Sequence, residues 1–136
     1  MDPLITLGRN DGDFIPVPTI PPIAFTTTKT EVCVMLTGSG VCISDLLFAN
    51  VYSVCFRVTR SINGSPFVSI GGTNVIVQNG RACHWSCSFS KRDNVSINDV
   101  VAYQLEYRTF GLLISIFVAM RFFDIDAHHL TLTIIE

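Results

Sequence analysis

From residue 29 onward the chain reads as short strands with turns between them, and in two of these strands apolar side chains recur at every second position, the period of a strand with one buried face. Tyr52, Val54, Phe56 and Val58 alternate with Ser53, Cys55, Arg57 and Thr59. Val101, Tyr103, Leu105 and Tyr107 alternate in the same way with Ala102, Gln104, Glu106 and Arg108. No stretch keeps a helical period with caps at both ends. Val, Ile and Thr supply 40 of the 136 residues, against 23 for Glu, Lys, Gln, Ala and Leu together, so the material suits strands and not exposed helix. The expected class is all-β.

Strands are expected at 29–36, 41–48, 51–59, 66–70, 73–78, 81–89, 99–108, 112–120 and 128–135. Turn chemistry separates them: Thr37-Gly38-Ser39-Gly40, Asn63-Gly64-Ser65-Pro66, Gly71-Gly72, Asn79-Gly80 and residues 94–98. Asn79-Gly80 between two apolar runs is the strongest hairpin signal of the set. Many short, evenly spaced strands mean a sandwich or barrel. Residues 1–28 read differently. Pro16, Pro18, Pro21 and Pro22 block helix and central strand. That segment is expected to be an extended arm, laid along a surface by Phe14, Ile15, Val17, Ile20, Ile23 and Phe25, ahead of one domain at 29–136.

The run 112–120 is apolar on both faces. A two-layer sandwich covers only one face of a strand, so this run needs a second cover, and a neighbouring subunit is favoured over the arm. Burying even about 600 Å² more apolar surface contributes on the order of 15 kcal/mol before association costs. The expected oligomer interface is Leu113, Ile114, Ile116, Phe117 and Val118, joined by Leu130, Leu132 and Ile134 of the last strand.

Charge narrows the partners. Only 15% of residues are charged and the formal net charge is −2. The one close basic pair, Lys91-Arg92, is followed by Asp93, so no basic patch marks a nucleic-acid binder. No signal peptide is visible. The longest apolar run, 110–120, is too short for a membrane-spanning helix, which takes about 20 residues. Five cysteines are an odd number, so internal pairing cannot use them all. Cys83-His84-Trp85-Ser86-Cys87 lacks metal or redox spacing, and its cysteines are expected to be small buried hydrophobes.

Three segments carry a family resemblance. Phe48-Ala-Asn-Val-Tyr-Ser-Val-Cys-Phe56 resembles a Pro-Gly-Val-Tyr-Tyr-Phe-type strand, and Val95 to Leu105 resembles a segment in which a Gly-Asp turn leads into a strand ending Gln-Leu. His129 to Ile135 resembles a short apolar terminal strand beside a threefold axis. Together, over roughly 24–136, they resemble the globular heads of the tumour necrosis factor and complement component 1q family. Asn50 and Asn98 stand where that family carries glycine, and no collagen-like repeat precedes the domain. The resemblance implies a two-sheet antiparallel jelly-roll sandwich, TNF-like, that assembles as a homotrimer.

Other constellations read as scaffold. Asp124, Asp126, His128 and His129 hold metal-ligand types, but adjacent residues of an extended segment point to opposite faces, so a polar loop is expected. Nothing orients a base beside Cys83 or Cys87, and G-x-S-x-G and phosphate-binding glycine motifs are missing. No catalytic residue, metal or cofactor is expected. Asn63-Gly-Ser65 and Asn94-Val-Ser96 match the glycosylation sequon, and both asparagines also suit turns. Trp85, with Arg81 and His84, could stack a sugar, but a tryptophan in an alternating strand is expected in the core.

The functional expectation is a non-enzymatic homotrimeric head that binds a protein receptor or glycan through loops 60–66, 90–98 and 121–128. The binding residues would be Arg60, Lys91, Arg92, Asp93, Arg121, Asp124 and Asp126, since binding groups concentrate on loops held by a rigid scaffold. The alternative is a virion or shell component built from the same sandwich. An extracellular or virion-surface setting suits both.

Overall fold

A computed structural model describes residues 5–8, 12–44, 51–78, 82–112 and 123–136. Its strands are β1 (Ile5–Gly8), β2 (Ile15–Pro16), β3 (Ile23–Thr26), β4 (Glu31–Ser44), β5 (Val51–Ile62), β6 (Val68–Gln78), β7 (Ala82–Asn94), β8 (Val100–Leu112) and β9 (Phe123–Ile135). One sheet has the order β1-β9-β4-β7. The other runs β2-β8-β5-β6, with β3 also on the free side of β8. All pairs are antiparallel. The chain changes sheet at nearly every connection, so sequence neighbours face each other across the core. This is a two-sheet jelly roll.

The alternation places the core as expected. Val54, Phe56 and Val58 of β5 and Val101, Tyr103, Leu105 and Tyr107 of β8 are buried, facing Val32, Val34 and Leu36 of β4 and Leu130 and Leu132 of β9. Trp85 joins them, its ring 5.9 Å from that of Phe56. The N-terminal segment is woven into both sheets: β1 pairs with β9, while β2 and β3 pair with β8. Leu7 and Val17 are core residues. Phe25 stacks on Tyr103 at 6.3 Å. Phe14 lies under two guanidinium groups, 4.1 Å from Arg57 and 4.8 Å from Arg108.

Two expected turns are strand interiors. Thr37-Gly38-Ser39-Gly40 lies inside β4, which therefore runs unbroken where two strands were expected. A β-carbon on Gly40 would sit 1.8 Å from the Asp126 carbonyl oxygen of β9, so the glycine permits a close backbone approach beside the bulge that leaves His128 without a partner in β4. Likewise Gly71-Gly72 lies inside β6. Gly71 has φ 146° and opposes Val58 beside a second bulge, with the Phe89 ring filling the space a side chain would need. Asn79-Gly80 falls outside the described residues. The strands flanking it, β6 and β7, belong to different sheets, so they do not form the expected hairpin.

Candidate functional site: the loop end of the sandwich

Three connections meet at one end of the sandwich: 27–30, 63–67 and 95–99. Asp99 joins them. Its carboxylate accepts hydrogen bonds from the Asn63 side-chain amide at 3.1 Å and the Ser96 backbone N–H at 3.0 Å. Its carbonyl accepts from the Thr27 N–H at 2.8 Å, and the Asn98 N–H returns a bond to the Thr27 carbonyl at 2.9 Å. The buried Thr27 hydroxyl donates to the Ser96 carbonyl at 2.5 Å. The Asn63 side-chain oxygen accepts from the Val100 N–H at 2.8 Å. Glu136 receives the Thr28 N–H and hydroxyl, which seats the C-terminus on the same platform.

Local chemistry explains these turns. Asn63 has φ 51° and Asn98 φ 71°. Asparagine tolerates this left-handed region better than other side-chain-bearing residues. Asn98 therefore adopts a conformation that glycine most readily supplies. Asn63 is fully engaged through both atoms of its amide. The second sequon asparagine, Asn94, is exposed at the end of β7.

This end also presents apolar side chains to solvent. Phe67 is 43% exposed, Val68 53%, Ile97 55% and Val100 51%. Of these, Ile97 and Val100 stand on backbone that the Asp99 and Asn63 bonds hold in place. Exposed apolar side chains on a rigid loop platform are suited to meeting another molecule.

The charged residues expected on loops are placed otherwise, because β5, β7 and β9 continue further than the sequence signals suggested. Arg60 lies in β5, Lys91, Arg92 and Asp93 in β7, and Asp124 and Asp126 in β9. Arg121 falls outside the described residues. Asp93 is buried, ion-paired with Arg60 and hydrogen-bonded by the Tyr103 hydroxyl at 2.7 Å. Burial and the neighbouring carboxylate push the Tyr103 pKa well above its ordinary value. Lys91 donates to the Ile70 carbonyl at 2.7 Å, tying β7 to β6. Arg92 stays exposed, 3.7 Å from Glu31. Arg60, Lys91 and Asp93 of this set therefore tie the two sheets together.

Of the expected interface residues, Leu113, Ile114, Ile116, Phe117 and Val118 fall outside the described residues. Leu130 and Leu132 are buried in this chain's own core and Ile134 packs partly against it. Among the described residues of that strand, Ile135 is an exposed apolar side chain. His129 is exposed, its Nε2 3.1 Å from the Thr37 hydroxyl. Trp85 is core, as expected of a tryptophan in an alternating strand.

Sequence reasoning passed over Asp99 and the apolar loop residues. Asn98-Asp99 was visible as a turn leading into a strand, but its bonds to Asn63, 36 positions away, leave no local signature. Among the described residues, no helix is long and apolar enough to cross a membrane. No protein-family model, curated protein or solved structure matches this chain.

Proposed function

We propose that the chain is a non-enzymatic interaction module, a jelly-roll head that self-associates as a homotrimer and binds a protein receptor or glycan through its loop end. The observation that carries this reading is that Phe67, Val68, Ile97 and Val100 are exposed at the loop end where Asp99 joins Asn63 and Ser96. A partly preordered loop loses less conformational freedom when it docks, which favours binding. Self-association rests on the two-faced apolar run 112–120 and the low charge of the chain. The likeness to tumour necrosis factor and complement component 1q heads agrees with this reading.

A shell component is the weaker reading. There the N-terminal arm would reach a neighbour, whereas residues 5–8, 15–16 and 23–26 pair within their own chain.

The test is a binding screen of the purified full chain against a glycan array and a panel of cell-surface ectodomains. The parent is compared with Ile97→Asp and Phe67→Asp. Binding by the parent that falls at least tenfold in both variants, with unchanged unfolding midpoints, is expected. Binding untouched by both substitutions would move the site away from this end.

A further inference from the structure

The chain carries two N-glycosylation sequons, Asn63-Gly64-Ser65 and Asn94-Val95-Ser96, and the fold treats their asparagines in opposite ways. We propose that Asn94, and not Asn63, is an attachment site for an N-linked glycan. Along β7, Trp85 and Asp93 are buried, whereas His84, Ser86, Ser88, Ser90 and Arg92 are exposed. Asn94 is the last residue of that outward series. It is exposed, and its register partner on β4 is the exposed Glu31. Ser96 is exposed as well, and the bonds that fix it run through its backbone: the N–H donates to Asp99 and the carbonyl accepts from Thr27. Val95 between them packs partly against the core, which holds the motif at the surface. A bulky, hydrated group is accommodated there without breaking a contact described above.

Asn63 is used differently. Its Nδ2 donates to the Asp99 carboxylate at 3.1 Å and its Oδ1 accepts from the Val100 N–H at 2.8 Å. Ser65 is engaged too, its hydroxyl oxygen accepting from the Ile62 N–H at 3.0 Å. A sugar on Asn63 would replace a hydrogen on the nitrogen that binds Asp99 and set its bulk among the bonds that join the loops. Pro66 directly follows this sequon and narrows the conformations open to Ser65, whereas Ile97 follows the other.

The co-reactant is a lipid-linked oligosaccharide diphosphate, used by the oligosaccharyltransferase of a secretory lumen. The Asn94 amide nitrogen forms a bond to the anomeric carbon. The carbon–oxygen bond to the diphosphate breaks, and the lipid diphosphate leaves with that electron pair. The proton lost from the nitrogen passes to a base of the transferase and then to solvent. The glycan would stand on the outer face of the first sheet beside loop 95–99. This inference does not rest on the loop end being a binding site.

The full chain is directed into the secretory lumen of insect cells by a cleavable leader, and leader cleavage marks the molecules that entered. Intact mass is measured before and after peptide-N-glycosidase. Enzymatic release in heavy-oxygen water converts each occupied asparagine to a labelled aspartate, located by peptide mapping. One glycan per chain is expected, with the label at position 94 and none at 63. Asn94→Gln should lose the glycan, Ser96→Ala should lose it while keeping the backbone bonds of Ser96, and Ser96→Thr should retain it. A leader-cleaved chain without a glycan, a label at position 63, or a glycan that survives Asn94→Gln would overturn the proposal.

Discussion

The Tyr103 hydroxyl on β8 donates a hydrogen bond to the Asp93 carboxylate on β7 across the sandwich, at 2.7 Å. Arg60 of β5 meets the same carboxylate. One buried acid therefore joins the second sheet to the edge of the first, and Arg60 Nε is buried with no hydrogen-bond partner among the described residues.

Removing that acid should cost more than removing one donor. Asp93→Ala strands the Arg60 charge and the Tyr103 hydroxyl, and is expected to lose about 3–5 kcal/mol. Tyr103→Phe deletes one hydrogen bond and is expected to lose about 1–2 kcal/mol. Urea unfolding of the two variants measures the difference. Equal small losses would mean that Asp93 is not the joint.

Tyr103 also sets a direction for alkaline stability. Its pKa is raised in the folded chain by burial first and by Asp93 second. Burial likewise raises Tyr107 and Cys87. The stability they contribute is complete below their unfolded values, about 8.5 for cysteine and about 10 for tyrosine. As pH rises through and beyond those values, the unfolded chain releases protons that the native chain keeps, so stability falls. Urea midpoints should decline from about pH 9 upward, and less steeply in Tyr103→Phe. A flat profile to pH 11 would contradict this.

The glycines separate close approach from turn strain. Gly40→Ala places a β-carbon against the Asp126 carbonyl and should cost at least about 3 kcal/mol or prevent folding. Gly64 has open space around it and φ 78°, so Gly64→Ala carries only left-handed strain, about 1 kcal/mol. Thermal melts of the two variants should differ by many degrees. Similar melts would mean that β4 and β9 do not meet in this register.

Asp99 is the brace of the loop end. Asp99→Ala removes the acceptor for the Asn63 side chain and the Ser96 N–H, and should lose about 1–2 kcal/mol. Hydrogen exchange at Ser96 should quicken, while amides in the centre of β8 keep their protection. Unchanged exchange at Ser96 would show that the platform is held by other bonds.

These residues also show what a linear sequence can reveal. Val54, Phe56, Val58, Val101, Tyr103 and Leu105 were legible as inward-facing because their period-2 pattern is a local property of each strand. Gly38 and Gly40 were not, since glycine signals a turn from sequence alone and a close strand approach only when the neighbour is known. Arg60 and Asp93 read as free surface charge, although Arg60 continues the inward series of Val54, Phe56 and Val58. That parity was the available signal, and the partner 33 positions away was not. The apolar loop residues were hidden for a similar reason: the sequence does not show that Phe67 and Ile97 reach the same end of a sandwich.

Light scattering of the purified full chain at tens of micromolar tests the head-like assembly most directly. A discrete species of three times the chain mass is predicted, and it should persist on dilution to low micromolar. A monomer across that range would contradict the homotrimeric head.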